Sequence, residues 1–378
     1  MEIMDKDAPK PLSRFTVIEV NDTDVPSCLR LAVSLATRIT ADLGATVIKI
    51  EPPGGDIVRR LPPLLPHGPQ AERSALFQFL NTGKRSVVLD LASADGMARA
   101  LALAGKADAV VFETPCRDAE TLRRTAATPI EIAAFAADMN VPHRAVSEFT
   151  IAALAGLLHM VGEPDRQPLR LGGHQVPYAA GLTAFTGLSA ALAARSQGRA
   201  APAVRVSLAE AAQWVNWKAT SGAHATGRSP GREGEQSEFQ VVRCADGYVA
   251  VVFTVTQWPP LRDLIGDPRL ADSMFATRAG RRQHVAALYA ITAPWFADKS
   301  RQDVQRLAQA RGVPFGPIFT PAELLDAEQY SARGFFADLQ HPALGALRLP
   351  RLPVQWNGRS FAPHAAQSLA DPPARAAE

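Results

Sequence analysis

A short apolar run at residues 47–50, Val-Ile-Lys-Ile, constrains this chain more than any other stretch. Gly44 precedes it and Pro52-Pro53-Gly54-Gly55 follows it. Leu43-Gly44 reads as a helix end, because glycine takes the left-handed C-terminal position without a Cβ penalty. The β-branched run then reads as a strand of a parallel sheet, and the Pro-Gly cluster stops it and lays out a loop. The pattern is repeated on either side. Residues 15–20 predict a first strand leading to a helix over 29–43, and a helix over 93–103 leads to a strand over 107–112. Strands alternating with helices at this spacing give an α/β fold with a Rossmann-like parallel sheet. In such sheets ligands bind at the carboxyl ends of the strands.

Size and composition narrow the rest. The 378 residues are 47% hydrophobic and 20% charged, enough for a large core and for two domains. A formal charge of +3 does not favour nucleic acid as a partner. Cys28, Cys116 and Cys244 are far apart and lack Cys-x-x-Cys spacing, which argues against disulfides and a zinc site and for a reducing compartment. The charged N-terminus does not read as a secretory signal, and no unbroken run of about 18 apolar residues predicts a membrane span. A cytoplasmic location is the expectation. Residues 239–253 read as a hairpin turning at 245–247, and the helical segments after it make a small α/β domain. The expected organisation is a large domain over 1–222 completed by 335–378, a linker over 223–238, and a small domain with its return linker over 239–334.

Several motifs carry a resemblance. Ala41-Asp-Leu-Gly-Ala45, Val47-Ile-Lys-Ile-Glu51, Pro52-Pro-Gly-Gly-Asp56 and Asn81-Thr-Gly-Lys-Arg-Ser86 resemble the family III CoA-transferases, the CaiB/BaiF group. The segments at 204–208, 312–326 and 332–336 extend the likeness over nearly the whole chain. The resemblance implies acyl-CoA or CoA as substrate, no covalently bound cofactor, no metal, and an interlocked homodimer. It also implies an aspartate that attacks the acyl-CoA carbonyl to form a mixed anhydride, from which CoA thiolate regenerates an enzyme-bound thioester. That aspartate stands four residues before the glycine matched by Gly181, with Gly187 fixing the register, and the position holds Pro177. No carboxylate occurs from Arg166 to Ser207, and the nearest ionisable group is His174. Proline offers neither a side-chain nucleophile nor a backbone N–H for an oxyanion.

By resemblance, Lys84, Arg85, Leu89 and Arg123 lie at the CoA, and Arg59 and Arg60 flank the same loop. Glu113 replaces a neutral amide. A carboxylate beside a polyanion is repulsive unless a cation intervenes, and Arg123 and Arg124 are the nearest candidates in sequence. The turn bearing Asp22 and Asp24, the loop at 138–142 and the acidic stretch at 234–239 replace segments that are glycine-rich in the family. Glu148, near the start of a helix expected over 146–161, is the one candidate for a displaced nucleophile. As a plain helix-start glutamate it needs no active site, because the macrodipole stabilises it there. Three readings follow. The chain is a catalytically degenerate member, acting as the silent subunit of a heteromer with an active homologue or as a ligand-binding paralogue. Alternatively it is an active transferase working through Glu148. The racemase branch is the weakest, since it needs a histidine and an aspartate where this chain has Ser147 and Pro177.

Overall fold

The computed structural model describes residues 9–21, 28–117, 119–125, 128–136, 146–232 and 237–369. The turn at 22–27, the loop at 138–142 and residues 234–236 of the acidic stretch lie outside the described residues. The chain divides into two compact units, one of Met1–Leu158, Arg170–Ser229 and Ser331–Glu378, the other of His159–Leu169 and Pro230–Tyr330.

The larger unit is built on six strands: β1 (Thr16–Val20), β2 (Thr46–Glu51), β3 (Arg85–Val88), β4 (Ala109–Thr114), β5 (Pro129–Ala133) and β6 (Val204–Ser207). All their pairings are parallel, in the order β3-β2-β1-β4-β5-β6. The order reverses between β1 and β4, so the carboxyl ends of these two strands border the crevice typical of doubly wound sheets. The helices are α1 (Cys28–Asp42), α2 (Ala75–Leu80), α3 (Ala94–Gly105), α4 (Ala119–Thr125), α5 (Glu148–Leu154), α6 (Gln175–Ser196), α7 (Leu208–Val215) and α8 (Trp217–Thr226). Strand periodicity sorts the two faces. Val17, Val47, Ala109 and Val111 pack with α1 and α6, while Ile18, Ile50, Val110 and Phe112 pack with residues of α3 and α4.

The smaller unit contains the expected hairpin, β7 (Gln240–Cys244) against β8 (Gly247–Val251), with Cys244 opposite Gly247. The short β9 (Gly316–Pro317) pairs with β8. Helices α9 (Trp258–Ile265), α10 (Arg278–Gln283), α11 (Val285–Ala297) and α12 (Arg301–Gln309) follow in the same unit. Its core gathers Val249, Phe253, Trp258, Phe275, Phe296 and Phe315. The chain then returns to the larger unit in an antiparallel pair, β10 (Phe336–His341) and β11 (Gly345–Pro350).

Three expectations are corrected. The helix expected over 146–161 is only α5 and a 3-10 turn at Leu158–Met160, because Gly156 adopts φ +73 and breaks the helical path. The sequence predicts a helix over 182–195, and α6 starts seven residues earlier, at Gln175. Pro177 lies in its first turn, where a missing N–H costs no intrahelical bond. The sequence predicts a single helix over 209–219, and the structure has two, broken at Asn216, whose amide donates to the Ala155 carbonyl at 3.0 Å.

By length and composition alone, α6 could also cross a membrane. A search for an unbroken apolar run passes over it because Thr183, Thr186 and Ser189 interrupt the pattern. Its Val176, Ala180, Ala184, Leu188 and Leu192 belong to the same core as α1.

Candidate active site

The carboxyl edge of the large sheet is crowded with buried charge. Glu19 on β1 receives Lys49 of β2 at 2.6 Å and Lys84 at 2.7 Å, and both Ser34 and Thr37 of α1 donate to it. Lys49 also meets Asp56 at 2.7 Å. Arg30 on α1 bridges Asp56 at 3.1 Å and Glu113 of β4 at 2.9 Å. Arg59 chelates Glu51 at 2.8 Å and reaches Glu72 at 3.0 Å, with its guanidinium 3.8 Å from the centre of the Phe77 ring. Every one of these residues is buried.

Burial alone would drive the carboxylates toward the neutral form. Lys49 and Lys84 overcome it and hold Glu19 well below the usual range, and Lys49 and Arg30 do the same for Asp56. Lys84 pays differently: burial outweighs the pull of Glu19, Lys49 adds repulsion, and its ammonium falls to about 8.

Beside this network three chemically capable side chains converge from three helix starts. Glu148 opens α5 behind a Ser147–Thr150 capping box. One of its carboxylate oxygens lies 3.0 Å from Nδ1 of His174, and the other accepts the Val176 N–H of α6 at 3.3 Å. The pair is partly shielded, with Glu148 15% and His174 34% exposed. The imidazole also contacts Tyr178 edge-on, 5.9 Å between ring centres. Cys28, the first residue of α1, lies in the field of both Glu148 and Glu113; burial first, then those carboxylates, push its thiol up to about 11. A cysteine at a helix start commonly gains acidity, so here the two acids and the loss of water reverse the usual effect.

That reversal sets a measurable reactivity. At pH 8 Cys28 should carry about a hundredfold less thiolate than an unperturbed cysteine. Iodoacetamide mapping across pH should find it alkylated far more slowly than Cys116, and Glu148→Gln should speed it. Equal rates at both cysteines would refute the electrostatic account.

The chain matches the profile of CoA-transferase family III over residues 25–371. It belongs to that family. A crystal structure of a CaiB/BaiF family protein from Brucella suis superposes with a TM-score of 0.79 at 27% identity, covering 96% of each chain. The succinate–glutarate CoA-transferase of Agrobacterium fabrum is 28% identical over 349 residues, 87% of this chain and 85% of that one. The acetyl-CoA:oxalate CoA-transferase of Acetobacter aceti is 28% identical over 339 residues, 85% of each chain.

Set in the family III frame, the residues expected at CoA separate. Lys84 spends its ammonium inside the protein, on Glu19, the Ser34 carbonyl at 2.9 Å and Asn81 at 3.0 Å. Leu89 is core, 3% exposed, with its N–H on the Glu51 carbonyl. Arg123 pairs with Glu131 at 2.8 Å and Glu120 at 3.1 Å. Arg85 is exposed at the start of β3. The cation that intervenes at Glu113 is Arg30, not Arg123 or Arg124. Sequence reasoning missed it because Arg30 and Glu113 are 83 residues apart and neither sits in a recognisable motif. Cys28 was read only as one of three cysteines unsuited to disulfides or zinc, just ahead of the helix expected from residue 29. His174 was noticed as the nearest ionisable group, but nothing in its neighbourhood announced Glu148 as its partner. No group of three or more His, Cys, Asp or Glu poised for a metal occurs among the described residues.

Proposed function

We propose that this family III protein engages an acyl-CoA thioester but does not by itself run the covalent exchange, and that it works as a non-catalytic subunit or ligand-binding paralogue. The observation that carries this reading is Pro177, buried in the first turn of α6, at the position where the family resemblance expects the nucleophile. Around it no carboxylate is supplied by residues 166–207. The buried cations Arg30, Lys49, Arg59 and Lys84 are all matched by internal acids, which leaves few of them for the phosphates of a ligand.

A subunit role fits the surface. On α5, α7 and the start of α8, Leu154 is 71%, Trp214 80%, Val215 58% and Trp217 62% exposed. Large apolar side chains on neighbouring helices suit a protein interface. We take the partner to be a second family III chain, either a copy of this one or an active homologue with which it interlocks.

A second reading is favoured by Glu148. Its carboxylate is held at the amino end of α6, on the N–H of the residue preceding Pro177. A carboxylate there could form the anhydride in place of the missing aspartate, with His174 orienting it.

Incubation of the purified chain with succinyl-CoA, followed by hydroxylamine trapping and peptide mass spectrometry, separates the two. The expected result is CoA binding by calorimetry with no hydroxamate on any carboxylate. A hydroxamate on Glu148, lost in Glu148→Gln, together with turnover would overturn the first reading in favour of the second. Absence of CoA binding would overturn both. In Pro177→Asp, labelling at the new carboxylate is expected if the vacancy is the cause.

A further inference from the structure

We propose that a recess at the amino edge of the large sheet, opposite the candidate active site, binds a small multiply charged oxyanion of the phosphate class. The recess has a volume of about 470 Å³ and is lined by Arg14, Phe15, Asp108, Arg195, Ser196 and Arg199. That volume falls within the range of small-molecule sites.

Its charge is lopsided. Among the described residues, three guanidinium groups and one carboxylate border it. Asp108 already accepts the Thr16 N–H at 2.8 Å, and its other oxygen is 3.5 Å from Arg195. Arg14 and Arg199 have no ion-pair partner among the described residues, and Arg14 lies over the Phe15 ring at 4.9 Å. Arg195 keeps a third of its side chain exposed beside Asp108 and lines the recess with it. Favourable interaction with the carboxyl end of α6 explains one arginine in its last turn. It does not explain Arg14, which arrives from the segment before β1, nor Arg199 beyond the helix. Planar guanidinium groups suit paired contacts with phosphate oxygens, and two or three together favour a multiply charged anion.

The recess stands apart from the carboxyl-edge chemistry. α6 runs from the Glu148–His174 pair at one end to Arg195 at the other, about 30 Å at 1.5 Å per residue over its 22 residues. The proposal therefore does not depend on how the chain handles acyl-CoA, and failure of either leaves the other standing.

Calorimetry with pyrophosphate on the full chain tests it. Saturable binding tighter than about 1 mM is expected, with succinate at least tenfold weaker. Arg195→Gln combined with Arg199→Gln should weaken pyrophosphate at least tenfold while the circular dichroism spectrum is kept. Should that pair fail to fold, Arg14→Gln alone is expected to weaken binding severalfold. Arg99→Gln, an exposed change on α3, should leave affinity unaltered. Absence of saturable binding would refute the site. So would succinate binding as tightly as pyrophosphate, or an equal loss in Arg99→Gln, which would reduce the effect to general surface charge.

Discussion

Lys49→Met should destabilise the larger unit by about 3–5 kcal/mol at neutral pH, the effect of breaking a buried ion pair by removing one partner. Lys49 is 1% exposed and serves both Glu19 and Asp56, so the variant leaves two buried carboxylates short of a cation. Lys84 and Arg30 remain as their second partners and keep the loss from being larger. The urea midpoint should fall with little change in slope, since the surface exposed on unfolding is nearly the same. Added salt should rescue little, because ions do not screen a buried pair effectively.

The pH dependence separates this from simple mispacking. Glu19, Glu51 and Asp56 are all held below their ordinary values of 4.5, 4.5 and 3.8 in the folded chain. Their contribution to stability is therefore complete above those values and drains away as pH falls through the folded ones. In Lys49→Met the folded values of Glu19 and Asp56 move back up. The gap between wild type and variant should then narrow as the pH drops below about 4. A gap that is constant with pH would mean the lost methylene packing, not the charge, carried the effect. Lys49→Arg, which keeps the charge at the wrong reach, should fall between the two.

Gly181→Ala should cost about 1–3 kcal/mol through overpacking, although alanine is the better helix former by about 1 kcal/mol. A Cβ at Gly181 would lie 2.8 Å from the Ala32 carbonyl oxygen and 3.0 Å from the Leu35 Cβ, both on α1. The first of these is backbone and cannot rotate away, so α1 and α6 must separate. Gly222, inside α8, provides the control: nothing lies within 4 Å of its added Cβ. Gly222→Ala should stabilise by about 0.5–1 kcal/mol. Thermal melts that moved both variants in the same direction would contradict the close α1–α6 approach.

Gly181 also shows how sequence and structure divided the work. As a sequence position it set the register by which the family resemblance puts Pro177 where a nucleophile is expected. Only the structure shows why glycine is there, because the contact is with a carbonyl about 150 residues away, and no local pattern encodes such a contact. Strand sites were legible for a simple reason. β-branched runs bounded by glycine and proline are local, and β1, β2, β4 and the β7–β8 hairpin appeared within a few residues of their expected places. Helix ends were less so. Gly156 and Asn216 interrupt apolar patterns that continue past them, and the first turn of α6, with Pro177 in it, precedes the apolar pattern that marks the helix.

The sequence by itself determined the α/β class, the family, and the absence of a carboxylate at residue 177, because each is written in short contiguous patterns. It could not assign partners to the charges. Lys84 looked available to a ligand and is enclosed by Glu19 and Asn81; Glu113 looked unneutralised and is met by Arg30. The pairing of Glu148 with His174, and the arginine recess at the far end of α6, likewise emerged only when the sheet order brought distant segments together. Charge pairing depends on distance and desolvation in three dimensions, and neither is recorded along the chain.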